Sequence, residues 1–91
     1  MTELDRWTQL ADSVYRDPSA VSSSKCPTCG STSLKLVYVV SSSGAEQGLC
    51  ALWCERCLTG LPPGFSRVPQ GADQVLEGDV RIPDFRLAAS T

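Results

Sequence analysis

Two Cys-x-x-Cys pairs constrain this chain more than any other feature. Cys26-Pro27-Thr28-Cys29-Gly30 and Cys54-Glu55-Arg56-Cys57 stand 24 residues apart. Four soft thiolates in two pairs form a ligand set suited to tetrahedral zinc. At 91 residues, one domain is expected. An apolar core of that size is marginal alone, and a metal, disulfides or a partner commonly supplements it.

There is no His in the chain. That removes Ser-His-Asp and Cys-His nucleophiles, Cys2His2 fingers and His-ligated catalytic metals. The formal net charge is −2. Four thiolates on one divalent ion would take it about two units lower. Non-specific nucleic-acid binding runs on Lys and Arg contacts to phosphate, so an acidic balance disfavours it. The start, Met-Thr-Glu-Leu-Asp, lacks the basic and apolar regions of a secretory signal. The longest apolar run, Leu49 to Cys54, is too short to span a bilayer. A cytoplasmic location is the default expectation, and there thiols stay reduced and favour metal over disulfides.

Leu4, Trp7, Leu10, Ala11, Val14 and Tyr15 recur at helical period, which predicts an amphipathic helix over 3–16. Thr2 is the expected cap, with Asp5 completing an approximate capping box. Asp17-Pro18 should end the helix, and residues 18–25 read as a Ser-rich linker. A strand is expected over Leu34 to Val40 and another over Leu49 to Trp53, joined by the loop 41–47. With a Cys pair at each outer end, such a hairpin would bring the pairs together. Both of its faces carry apolar residues, so two covering elements are expected: the helix, and the segment after Cys57. In that segment Phe65 to Val68 reads as a possible third strand. Ala72 to Leu76 reads as a short helical turn, and Val80 to Leu87 as an extended arm.

The amides following each first cysteine should point back at its sulfur, and Gly30 suits the tight backbone there. Lys25 and Arg56 are placed to offset the cluster's charge. Cys50 lies roughly 13 Å along the strand from Cys54, and reads as a small buried side chain outside the cluster.

CPTCG, an intervening hairpin and CERC resemble the zinc-ribbon superfamily over residues 26–60. The resemblance implies one structural Zn2+ on Cys26, Cys29, Cys54 and Cys57. Leu58 stands where a ribbon commonly has Gly, and Gly60 follows two positions later. The run ALWCERCLTG is also similar to small bacterial zinc-ribbon proteins, a likeness that supplies no activity. A rubredoxin-like iron site uses the same ligands but has two CPxCG knuckles, and only the first pair complies. A dithiol redox enzyme needs one such pair between a strand and a helix.

The expected fold is small α+β within one domain: helix 1–17, linker 18–25, zinc ribbon 26–68 and an extended Pro/Gly-rich arm 69–91. A four-thiolate site has no open coordination position, and no catalytic constellation is present. Asp73, Glu77, Asp79 and Asp84 read as a solvated face. The expected role is a non-catalytic protein-interaction or adaptor module whose partner is another protein. The alternatives are a nucleic-acid-binding ribbon associated with transcription, using Lys25, Lys35, Arg56 and Arg67, and a redox-responsive zinc site.

Overall fold

The computed structural model describes residues 2–69, 72–79 and 82–89. Helix α1 spans Glu3–Arg16. Thr2 is extended and caps it: its Oγ1 accepts from the Asp5 N–H at 3.1 Å, and the Asp5 carboxylate accepts from the Thr2 N–H at 3.2 Å. Such a cap is worth about 1 kcal/mol. Glu3 and Asp5 in the first turn and Arg16 in the last both complement the helix dipole. Trp7, Ala11 and Val14 are buried, while Leu4 and Leu10 flank them. Tyr15, at the edge of the stripe, is 36% exposed.

Asp17 ends α1 in extended geometry ahead of Pro18. It then caps the next turn, accepting from the Ser19 N–H and hydroxyl. The stretch expected as a linker is a 3-10 helix over Pro18–Ser23. Its serines explain the difference: Ser22, Ser23 and Ser24 hydroxyls donate to carbonyls three or four residues back. Local side-chain bonds of this kind hold a tight turn without an apolar face.

Strands β1 (Leu34–Val40) and β2 (Gln47–Cys54) pair antiparallel, with Leu34 opposite Cys54, Leu36 opposite Leu52 and Tyr38 opposite Cys50. Side chains alternate between faces along each strand. One face presents those six residues to α1, where they form one core cluster with Trp7, Ala11, Val14, Cys26 and Ala88. The outer face carries Val37, Val39, Leu49, Ala51 and Trp53.

Strand β2 runs beyond the expected 49–53 at both ends, and two short strands pair with it. Strand β3 (Thr59–Gly60) pairs with Trp53 and Cys54, and β4 (Gly64–Arg67) pairs with Gln47 to Cys50. Strand β4 begins one residue before the expected third strand. Strand β5 (Gln74–Leu76) runs parallel to β1 with Val75 opposite Val39. A helical turn was expected there. The free edge of β1 accounts for the correction, since its amides need acceptors, and the Tyr38 N–H finds the Asp73 carbonyl at 3.0 Å. A 3-10 turn follows at Glu77–Asp79. Strand β6 (Arg86–Leu87) lies parallel to β3. The sheet order is β5-β1-β2-β3-β6, with β4 also on β2.

Of the expected arm, Val80 and Arg81 lie outside the described residues; Ile82 to Ala89 lie within them. Phe85 stacks on Trp53, with ring centroids 6.0 Å apart and planes 7° from parallel. The segment after Cys57 thus reaches the outer face at Trp53. It leaves Phe65, opposite Leu49 on the same face, 81% exposed. Among the described residues, no helix is long and apolar enough to cross a membrane.

Candidate metal centre

The hairpin register places the two Cys pairs at one end of the sheet. Cys54 is the last residue of β2, and the first pair lies just before β1. The Glu55 N–H donates to the Ser33 carbonyl at 2.9 Å and ties the pairs across that end. Within each pair the chain makes the same turn. The Gly30 N–H donates to the Cys26 carbonyl, and the Leu58 N–H to the Cys54 carbonyl, both at 2.9 Å. Both turns end left-handed, at φ 77° for Gly30 and 51° for Leu58. Leu58 therefore occupies the backbone position that Gly fills in the first pair.

These turns gather Cys26, Cys29, Cys54 and Cys57, with all four Sγ atoms within 4.8 Å of one another. Cys26 and Cys57 sulfurs are 3.6 Å apart, and Cys29 and Cys54 sulfurs 3.7 Å. Four thiolates at about 2.3 Å from one tetrahedral ion would stand about 3.8 Å apart. The set can hold a metal ion at the usual thiolate distance with little rearrangement. Cys26 and Cys54 are buried, Cys57 half-buried and Cys29 exposed.

Hydrogen bonds surround the sulfurs. The Thr28 and Cys29 amides point at the Cys26 Sγ, at 3.3 and 3.5 Å. The Ser31 hydroxyl stands between two of these sulfurs, 3.2 Å from Cys29 Sγ and 3.3 Å from Cys54 Sγ. Its side chain and then its backbone pull the exposed Cys29 thiol down to about 6. Burial acts upward on Cys54, but Ser31 and the Cys57 and Arg56 amides outweigh it and lower that thiol. Burial pushes Cys26 up to about 12. A cation bound to the sulfur would displace that proton into water, which a thiol so raised would otherwise keep at neutral pH.

A polar latch beside the cluster was not foreseen. The Glu3 carboxylate accepts both ends of the Arg86 guanidinium fork at 3.0 Å, the Ala89 N–H at 2.8 Å and the Thr28 hydroxyl at 2.7 Å. Thr28 lies between Cys26 and Cys29, and its hydroxyl also accepts from the Trp7 indole N–H at 3.0 Å. Arg86 reaches the second pair's side as well, donating to Thr59 Oγ1 at 3.2 Å. One carboxylate thereby joins α1, the first knuckle and the last described strand. A separation of 83 residues between Glu3 and Arg86 has no signature in local sequence pattern.

Cys50 lies outside the cluster, 4% exposed in the core, and burial raises its pKa despite hydrogen bonds from Tyr15 and Tyr38. Asp73, Glu77, Asp79 and Asp84 are all exposed. No family model, no curated protein and no solved structure matches this chain.

Proposed function

We propose that Cys26, Cys29, Cys54 and Cys57 hold one structural zinc ion in a zinc-ribbon-like site. The zinc rigidifies a non-catalytic protein-interaction module. Sulfur-only donors favour zinc or iron among the common metals, and a four-ligand set leaves no position for a substrate. The interaction reading rests on one observation. Phe65 is 81% exposed on a strand whose neighbour, Leu49, continues the apolar outer face. Aromatic anchors of this kind carry much of the energy at protein interfaces.

Two measurements test this. Elemental analysis of protein purified without added metal should find one zinc per chain; iron, or no metal, would refute the metal assignment. Quantitative affinity capture from native extract should then recover a partner with the wild type and lose it with Phe65→Ala. Equal recovery with both proteins would refute the role given to this face.

The nucleic-acid alternative gains little support. Lys35 stands opposite Trp53 and Arg67 opposite Gln47, six residues apart along β2, or about 20 Å. A redox-responsive site has one point in its favour, the exposure of Cys29. Zinc release at low peroxide concentration would support it, and release only under harsh oxidant would remove it.

A further inference from the structure

The latch has the form of a peptide complex made within one chain. Residues 86–89 run between the β3 edge and the first turn of α1, and the space they fill there is a groove lined by both. On one side the Arg86 N–H donates to the Leu58 carbonyl at 2.7 Å, and the Ala88 N–H to the Gly60 carbonyl at 2.9 Å. On the other, the Ala89 carbonyl accepts from the Leu4 N–H at 2.8 Å. That N–H belongs to the first turn of α1, where no helical carbonyl is available to it. Three backbone bonds thus hold the segment whatever its side chains are.

Side chains then add selectivity at alternate positions. Arg86 places its fork on the Glu3 carboxylate, a paired geometry that lysine cannot reproduce. Leu87 turns outward and is 52% exposed. Ala88 turns inward and is 9% exposed within the core cluster, where a larger side chain would have to displace its neighbours. Backbone pairing for affinity and alternate pockets for choice are the elements of peptide recognition by strand addition.

The segment is also placed to leave. The Arg86 side chain is 55% exposed, so water can replace its ion pair. Glu77, Gly78, Asp79, Pro83 and Asp84, leading up to it, are all exposed. Its departure would leave the β1–β2 pairing and the cysteine cluster in place.

We propose that this groove is a binding site for a partner protein's extended segment, one with arginine followed two positions later by alanine or glycine. The chain's own residues 86–89 occupy the groove until the partner displaces them. The proposal rests on the protein-interaction reading and adds a partner class at an edge distinct from Phe65. Because the tethered segment competes at an effective concentration near millimolar, the wild-type chain binds such a partner weakly.

The test uses the 91-residue, metal-loaded chain and a fluorescein-labelled peptide matching Phe85–Ala89, followed by anisotropy. Arg86→Ala weakens the tethered competitor and leaves the groove intact. It should bind the peptide at least about tenfold more tightly than wild type. Binding should be lost with a peptide carrying Ala in place of its arginine, and in the double variant Glu3→Gln/Arg86→Ala. If Arg86→Ala loses its circular dichroism or its metal, Arg86→Lys replaces it with the same expected direction. Equal peptide binding by wild type and a folded variant would overturn the proposal, as would indifference to the peptide's arginine. Concentration-dependent dimerisation of the wild type that Arg86→Ala abolishes would also overturn it, by making a second copy the occupant. Phe65→Ala should leave peptide binding unchanged. A negative peptide result beside Phe65-dependent capture therefore refutes the groove alone.

Discussion

Leu58 and Gly30 hold equivalent left-handed positions after the two cysteine pairs, yet only one of them is suited to it. An L-residue in that region costs about 1–2 kcal/mol, whereas glycine enters it freely. Leu58 is also 42% exposed, so its side chain recovers little by burial. Leu58→Gly should raise stability by up to about 1 kcal/mol, the relief of strain being partly offset by glycine's larger unfolded-state entropy. Gly30→Ala should lower it by about 1–2 kcal/mol. A Cβ at Gly30 meets nothing within 4 Å among the described residues, so the loss would be conformational and not steric. Thermal melts of the metal-loaded variants would show shifts of opposite sign. The two tryptophans offer a second contrast. The Trp7 N–H is bonded to Thr28, while the Trp53 N–H is buried without an acceptor among the described residues. Trp7→Phe gives up a bond, whereas Trp53→Phe removes an unmet donor. Denaturant unfolding should find Trp7→Phe the more damaging by about 1–3 kcal/mol.

Among the elements, β3 is a two-residue strand that pairs with Cys54 and is tightly fitted at Gly60. A Cβ on Gly60 would collide with the Leu52 carbonyl oxygen and come 2.7 Å from the Trp53 Cβ. Gly60→Ala should therefore cost about 1–3 kcal/mol, readable in chemical denaturation, because backbone must shift to admit it. Elements of this molecule differ in how openly the chain announces them. Helix α1 was legible because a cap, a stripe and a terminating Asp-Pro all agree. Strand β1 was legible because Leu34 to Val40 alternates and is β-branched. Strand β5 was not, since Gln74-Val75-Leu76 has no pattern of its own and becomes a strand only because β1 has an open edge. The cysteine cluster was readable because ligand type and spacing carry the information locally. Glu3 and Arg86 were hidden because each resembles an ordinary surface charge until the chain folds and brings them together.

At the scale of the whole molecule, two bonds between distant parts dominate: the sulfur cluster, and the carboxylate of Glu3. Structural zinc in small peptides contributes apparent binding energy of about 10–16 kcal/mol, against about 5–15 kcal/mol for a whole domain's net stability. If the cluster holds such an ion, removing it with a chelator should therefore abolish the near-ultraviolet tryptophan signal and most of the far-ultraviolet one. Unchanged spectra at confirmed zero metal content would contradict this.

The Glu3 latch has its own pH window. The Arg86 fork, the Ala89 N–H and the Thr28 hydroxyl hold the Glu3 carboxyl at about 2, against 4.5 ordinarily. A carboxyl depressed by folding stabilises the folded state above its unfolded value, and that contribution fades as pH falls toward the folded one. Wild type should thus exceed Glu3→Gln in stability at pH 6, with the gap closing between about pH 4.5 and 2. The gap is read down to the pH at which acid would release an ion from the thiolates, because below it neither protein would keep its fold.

The same latch bears on the order in which the chain becomes itself during synthesis. Every sulfur of the cluster has been polymerised by Cys57, as has Thr28, but the other two groups that hold Glu3 come 29 or more residues later, at Arg86 and Ala89. At about 5–20 residues per second, ribosomes need on the order of seconds to cover that interval. The sulfurs of the cluster therefore leave the ribosome ahead of the strand that fastens the first turn of the helix.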